Sequence, residues 1–306
     1  MTVSFGQTVI AISAFRSNEA VLALLVDLFA HGGGEAAAVI VVDSLGDGAL
    51  PAEFTKRGWA VQYDHSPTNL GSAGNLSRRL ELAAEVTGAR WCLALNHDGV
   101  VDRAMISALI DCADCGGDRV GAVFPRRVMS ERRSVVYPHR SVFSPARYVA
   151  PQAAIDRIEV AWDSSNGALY GLGPVRDGLR PWPELWMGWE DLAYGWTLAH
   201  HGWRQIYCAD AEFSDNYESR RVSLLGRHFF ITDKAAWYGY YQFRNLILIA
   251  KRTKAGWPAW RFLGSRIARE IPLTLLFREG KVRRFRFMGM GLIDGIKEIS
   301  GRGRGR

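Results

Sequence analysis

Three short stretches place reactive residue types where chemistry needs them. In "ALNHDGVVD" (94–102) an apolar run ends on Asn96, His97 and Asp98 before Gly99, and a glycine there suits a tight turn that exposes the carboxylate. A hard cation such as Mg2+ or Mn2+ takes oxygen ligands and keeps water and substrate phosphates as the rest, so one or two carboxylates suffice. The plainer reading is that Asp98 caps a helix beginning near Asp102. In "WMGWEDLAYGW" (186–196) Glu190 and Asp191 stand together near Trp182, Trp186 and Trp189. One of these carboxylates can serve as a general base toward a bound hydroxyl, with the indoles as a stacking wall for carbohydrate. Acids in a first helical turn also simply complement the helix dipole. In "NLGSAGNLSRR" (69–79) Gly71 and Gly74 lead into a helix whose N-terminus attracts anions, and Arg78 and Arg79 follow one turn later. The stretch has neither the spacing of a dinucleotide fingerprint nor the ending of a Walker loop, and two solvated surface arginines are the alternative.

The elements that must carry these residues alternate. "TVIAISAF" (8–15), "AAAVIVVDSLGDG" (36–48), "WAVQYDH" (59–65) and "RWCLALNHD" (90–98) read as strands; "NEAVLALLVDLFAHGGG" (18–34), the stretch after Asn69 and "RAMISALIDCAD" (103–114) read as helices. Such alternation predicts an α/β fold with a doubly wound, mostly parallel sheet flanked by helices. Ligands of these sheets sit beyond the carboxyl ends of the strands, here marked by Phe15 and Arg16, Asp43, Asn69, and Asn96 to Asp98. The second half changes character. Residues 125–160 read as irregular and arginine-rich, 162–178 as strands and turns, 190–202 as a helix, 203–215 as a strand with its exit, and 235–252 as a long helix; the last 50 residues read as helical, apolar and basic.

Composition excludes several classes. The 306 residues are 48% hydrophobic, ample for one large or two modest domains. Four cysteines are too few for a disulfide scaffold, and Cys112 and Cys115 form a lone CxxC with no second pair for zinc. The start lacks a basic n-region and no 18-residue apolar run occurs, so the expectation is a cytoplasmic, non-spanning protein. Of the net charge of +7, residues 251–306 supply +11, from 15 Lys and Arg against 4 Asp and Glu, leaving residues 1–250 at −4. That acidic main part argues against nucleic acid, whose binders carry basic stripes across the domain. The basic tail has two readings of equal standing: it lies on an anionic membrane surface, or it caps the domain or mediates dimerisation.

Taken in order, "VIAISAFR", "VIVVDSLGDG", "NLGSAGNLSR", "LALNHDGVVD", "NGALYGLGP" and "WMGWEDLAYGWTLAHHGW" resemble a family 2 glycosyltransferase of the GT-A fold. "WYGYYQFRNLILIAKR" is similar to the "YxxRN" helix of the rhamnosyltransferase and galactofuranosyltransferase branch. The resemblance spans roughly residues 8–250 and rests on the set of motifs, each weak alone. It implies that Asp43 reads the donor's base, that Asn69 and Arg78 line the nucleotide-diphosphate cleft, and that Asn96, His97 and Asp98 occupy the acidic motif whose last carboxylate holds Mg2+ or Mn2+. It further implies Asp191 as catalytic base, with Glu190 contacting the acceptor or tuning that base. The sequence departs from the family in two places. Only Asp98 of the usual "DDD" or "DxD" is charged, and where a metal-ligating histidine often follows the "ED" helix, "AEFSD" has Asp215; His228 ranks second for that role.

The expectation is therefore an inverting glycosyltransferase moving galactofuranose or rhamnose from a UDP or dTDP donor to a glycan or lipid-linked acceptor of a polysaccharide or cell wall. Residues 1–220 form its catalytic domain, with a nucleotide-sugar half (1–102) and an acceptor half (103–220), and 221–306 a basic helical region placed in the cytoplasm or on the inner membrane face. A sugar nucleotidyltransferase is the first alternative, although "AFRSNE" lacks the glycine-rich, lysine-bearing loop it wants after the first strand. A non-catalytic basic nucleic-acid-binding protein is the second.

Overall fold

A computed structural model describes residues 5–129, 134–137, 139, 141–144, 147–149, 158–215, 220–224, 226–231 and 234–303. Strands β1 (Thr8–Ala14), β2 (Ala38–Ser44), β3 (Val61–Ser66) and β4 (Trp91–Asn96) lie parallel in the order β3-β2-β1-β4. Crossover helices join them: α1 (Asn18–Ala30), α2 (Leu50–Lys56) and α3 (Gly71–Glu85). The sheet continues through β10 (Ala168–Gly171), which runs antiparallel between β4 and β6 (Val120–Met129), and then through β11 (Arg204–Asp215), parallel to β6.

Period-2 alternation builds the core on both faces. Ile10 and Ile12 of β1 pack with Leu24, Leu25 and Leu28 of α1 and with Leu109 of α4 (Arg103–Cys115). Their neighbours Val9 and Ala11 pack with Leu76 and Leu80 of α3 and with Leu198 of α6 (Glu190–His200) on the other side. A third layer consists of α7 (Tyr238–Thr253), α8 (Trp257–Phe277) and α9 (Lys281–Ile296), where Phe243 and Leu246 of α7 meet Leu185 and Leu192. Among the described residues no helix is long and apolar enough to cross a membrane.

Two expectations change. Residues 125–160 are not irregular throughout: β6 extends to Met129, and β7 (Ser134–Tyr137), β8 (Arg147–Val149) and β9 (Ile158–Glu159) pair at the sheet's rim. The stretch after β10 is a short helix, α5 (Leu172–Arg176), rather than a turn. The cap of α4 is Asp102, whose Oδ1 accepts from the Met105 N–H at 2.7 Å, so Asp98 is not needed for that role. The CxxC closes α4 with Cys112 buried and Cys115 exposed, and none of the four cysteines forms a disulfide.

Candidate active site

Strand register gathers the polar ends. Asp43 lies beside Ala14 and Asn96 beside Ser13, so β1, β2 and β4 finish together. Because β10 is antiparallel to β4, the loop that precedes it arrives at the same edge. That loop carries Asp163, Ser165 and Asn166, none of which the motif reading singled out. Asn166 Oδ1 accepts from the Asn96 N–H (2.8 Å), and the Ser165 N–H donates to Asp191 Oδ1 (3.1 Å). The signal was present in "WDSSNG", a polar run ending on glycine before a buried strand, the same pattern as "LNHDG".

Asp43 is buried at the end of β2. Its Oδ2 accepts from the Tyr63 hydroxyl (2.8 Å), while its Oδ1, also buried, has no partner among the described residues. A buried acceptor without a partner is one that a ligand's N–H can satisfy. Gly46 closes over the carboxylate, and a Cβ there would lie 1.7 Å from Asp43 Oδ2.

At the next strand end Asp98 is exposed and Asn96 and His97 are half-buried. The two residues that follow Asp98 form β5 (Gly99–Val100), which pairs antiparallel with β11 so that Gly99 faces Asp215. Backbone pairing thus sets Asp215 of β11 opposite the residue that follows Asp98. His228 is exposed on the separate hairpin of β12 (Arg220–Leu224) and β13 (Arg227–Ile231), its Nδ1 2.8 Å from Ser223 Oγ. Among the described residues no three His, Cys, Asp or Glu side chains gather to hold a metal.

The "NLG" loop is tied to the segment bearing the acidic pair. Asn69 Oδ1 accepts from the Gly71 N–H (2.9 Å), and the Asn69 carbonyl accepts from Trp186 Nε1 (3.0 Å). Gly71 has φ +67°, and a Cβ on it would lie 2.0 Å from the Trp186 carbonyl oxygen. Gly71→Ala is therefore expected to lower stability by about 2–4 kcal/mol, combining left-handed strain with a backbone clash, as read by urea unfolding. An unchanged denaturation midpoint would contradict this packing.

The two arginines of the following helix differ: Arg78 keeps 40% of its side chain exposed, whereas Arg79 is buried. Arg78 closes its fork on Asp64, Nε to Oδ2 at 3.1 Å and Nη2 to Oδ1 at 2.6 Å. Arg79 is buried, with Nη1 donating to the Ala11 and Leu95 carbonyls (3.2 and 2.8 Å). Its charge acts on Asp191 and Glu190 from within the core. Phe15 and Arg16 stand exposed at the end of β1, the guanidinium 5.7 Å from the ring centroid.

The tryptophans do not form one wall. Trp186 is 3% exposed, its ring lying against Tyr241 and Trp237, so its faces are covered by protein rather than open to a sugar. Trp189 donates Nε1 to the Gln242 carbonyl (2.9 Å) and meets Trp162 and Phe262 edge-on. Trp182 meets Trp196 edge-on and lies under the Arg252 guanidinium. The latter two remain half-exposed.

Glu190 and Asp191 open α6. Glu190 is buried with Oε2 unpartnered, and Asp191 is half-buried. Burial, and then repulsion from Glu190, push the Asp191 carboxyl well above the usual carboxylate range, while the Ser165 hydrogen bonds and the Arg127 charge oppose the shift. Asp163 is buried beside this pair's support loop and is pushed up to about 6 by burial, with Arg127 again opposing. The result is a carboxylate that accepts a proton readily near neutral pH.

What fixes the pair in place is a strained approach held from behind. Trp186, Gly188 and Trp189 have φ of +59°, +80° and +68°, conformations that persist only where the surroundings over-determine them. Asn245 Nδ2 lies 3.0, 2.9 and 2.8 Å from the carbonyls of Leu185, Met187 and Gly188. Arg244 is fully buried and donates Nη2 to Leu185 O (2.7 Å), Nε to Asn245 Oδ1 (2.9 Å) and Nη1 to Gly301 O. Gly301 also donates its N–H to Glu184 O (2.6 Å), and the Gly303 N–H donates to the Tyr241 hydroxyl (3.0 Å). The "RN" of α7 is thus a clamp on the backbone that leads into Glu190 and Asp191.

No protein-family profile matches the chain, and no curated protein matches it in sequence. Solved structures do resemble it. S. aureus TarS, residues 1–349, aligns at TM-score 0.58 and 12% identity over 95% of this chain and 81% of that one, and the same fragment in complex with UDP aligns at 0.58 and 13%. GalNAc-T7 with UDP, GalNAc and Mn2+ aligns at TM-score 0.61 and 10% identity over 96% of this chain. The chain spans 56% of the length of that GalNAc-T7 chain and 49% of a longer TarS chain. The fold is the GT-A type: a mostly parallel sheet flanked by helices, with a helical C-terminal extension.

Proposed function

We propose that the protein is an inverting glycosyltransferase, taking a sugar from a UDP or dTDP donor to a hydroxyl of a glycan or lipid-linked glycan, with galactofuranose and rhamnose as the first donors to test. Residues 1–220 would carry the transfer site and 221–306 its basic extension. The observation that carries the reading is Asp191, a carboxylate of raised proton affinity held by Ser165 at the sheet edge where β1, β2 and β4 end. The GT-A fold supports it, as do TarS structures in complex with UDP and with UDP-GlcNAc. The unpartnered Oδ1 of Asp43 suits a nucleobase N–H at the same edge. The acceptor then lies on the Asp191 side. Asp191 takes the hydroxyl proton while that oxygen bonds to the anomeric carbon from the face opposite the diphosphate, and the bond to the diphosphate oxygen breaks with its electron pair. The products are the inverted glycoside, the nucleoside diphosphate and a protonated Asp191.

Asp98 would hold Mg2+ or Mn2+ with phosphate and water as its other ligands, and Asp215, paired through its backbone with Gly99, would be the second carboxylate. Such an ion, when bound, offsets charge on the departing diphosphate. Asp98→Ala is expected to weaken UDP binding in the presence of Mn2+ by about 10- to 100-fold while leaving binding in EDTA unchanged; identical calorimetric titrations of variant and wild type would remove Asp98 from this role. The function itself is tested by thermal shift against a panel of sugar nucleotides with Mn2+, because a ligand stabilises the fold according to its occupancy. Stabilisation by a UDP or dTDP sugar, followed by transfer, is the expected result. Stabilisation by nucleic acid alone would replace the reading.

A further inference from the structure

Ten large hydrophobic side chains stand exposed among the described residues, and eight of them lie between Trp257 and Ile296. On α8 they fall in line. Trp257, Trp260, Gly264, Ala268, Ile271 and Leu275 recur at spacings of three and four, one stripe of a helix with 3.6 residues per turn, and all six are exposed. Trp257 is 75% exposed and Leu275 48%. The opposite side of the helix, with Ala259, Phe262, Leu263 and Leu273, is buried against the protein. A helix apolar on two sides with one side in water is an interface waiting for a partner.

Charge says which partner. Three of the four acids of this region are taken up internally: Glu270 pairs with Arg278 (3.0 Å), Asp294 accepts from the Tyr240 hydroxyl (2.7 Å) and Glu298 pairs with Lys251 (2.9 Å), while Glu279 is exposed. Arg261 beside the stripe, Lys281 and Arg286 of α9, and Lys297 just past the end of α9, are exposed with no partner among the described residues. A second copy of so basic a surface would be repelled, because like charges would meet across the contact. A bilayer with anionic headgroups supplies both an apolar boundary for the tryptophans and leucines and negative charge for the basic side chains.

We propose that the exposed face of α8, with Arg261 and the basic side chains of α9, docks the protein on an anionic phospholipid surface. The helix lies in the headgroup layer with Trp257, Trp260, Ile271 and Leu275 facing the acyl region. This binding needs no sugar donor, so it stands or falls separately from the transfer reaction.

The test is co-sedimentation of the full chain with vesicles of phosphatidylcholine alone and of phosphatidylcholine with phosphatidylglycerol. Wild type is expected to pellet with the anionic vesicles, to stay largely in solution with the neutral ones, and to be released by salt. Replacing Trp257, Trp260 and Leu275 together by serine is expected to lower the partition coefficient at least about tenfold with the melting temperature preserved, since these side chains lie outside the packed core. Arg261→Glu with Arg286→Glu, a variant that leaves every apolar contact intact, is expected to lower it about tenfold or more on anionic vesicles. Equal pelleting of all three proteins, or equal binding of wild type to neutral and anionic vesicles, would overturn the proposal. A concentration-dependent dimer abolished by the triple serine variant would also overturn it, assigning the face to a second copy.

Discussion

Asp191→Asn is expected to lower turnover about 10²- to 10⁴-fold, the usual contribution of a positioned general base, with UDP affinity unchanged. The asparagine keeps an oxygen for the Ser165 N–H, so the local structure survives while the proton acceptor is lost. Two companion measurements identify the base. The wild-type rate must fall as pH drops through the Asp191 pKa, which burial and Glu190 raise above the ordinary carboxylate range. Glu190→Gln removes the repulsion, so the acidic limb of the profile moves to lower pH. Stability runs the other way. A carboxyl whose folded pKa is raised favours the fold while protonated, and that contribution is lost as pH rises from the unfolded value through the folded one. Asp191→Asn is therefore expected to melt higher than wild type at pH values above that window. Wild-type turnover in Asp191→Asn would exclude Asp191 as the base, and an unmoved limb in Glu190→Gln would exclude the repulsion.

Asn245→Ala carries the second large effect although Asn245 touches no reacting atom. The substitution strips donors from the carbonyls of Leu185, Met187 and Gly188 and leaves Arg244 Nε without its acceptor. Loss of stability of about 2–4 kcal/mol follows from orphaning buried groups. The stronger expectation concerns rate: with the backbone of 185–188 released from its positive-φ path, Glu190 and Asp191 shift, and a displacement on the order of 1 Å costs about 10²-fold in kcat. Assays well below the melting temperature separate the two, because a merely destabilised enzyme keeps its kcat per folded molecule. The donor KM should hold. Arg244→Lys keeps the charge but not the planar fork and should share the kcat loss. Normal kcat in both variants, per folded molecule, would reduce the clamp to a stability device.

The period-2 runs of β1 to β4 and the amphipathic α1 and α4 were legible in the sequence because each element buries a face whose spacing its own residues display. So were the polar strand ends at Asp43 and Asp98. The site was less legible where it depends on distant partners. Asp163, Ser165 and Asn166 join it only because β10 inserts antiparallel between β4 and β6, and nothing local to "WDSSNG" specifies that insertion. The fork of Arg78 is closed by Asp64 of β3, a pairing between distant elements rather than one within the helix itself. Tryptophans near a carboxylate read as a sugar platform or, more often, as core, and contacts across 50 to 120 residues decide between them: Trp186 with Asn69, Trp189 with Gln242. The clamp of α7 on residues 185–188 escaped for the same reason, since "RN" looks locally like any polar pair on an apolar helix.

The clamp also sets an order of assembly. A growing chain that has reached the end of β11 already holds the whole parallel sheet and both acids of α6, yet the frame for those acids comes from Arg244, Asn245, Gly301 and Gly303, made afterwards. Domains fold as they emerge during synthesis, so a nascent chain acquires its sheet edge first and its fixed base last. A polypeptide halted between α6 and α7 would then carry Asp43 and Asp98 at the finished strand ends without the frame that holds Asp191.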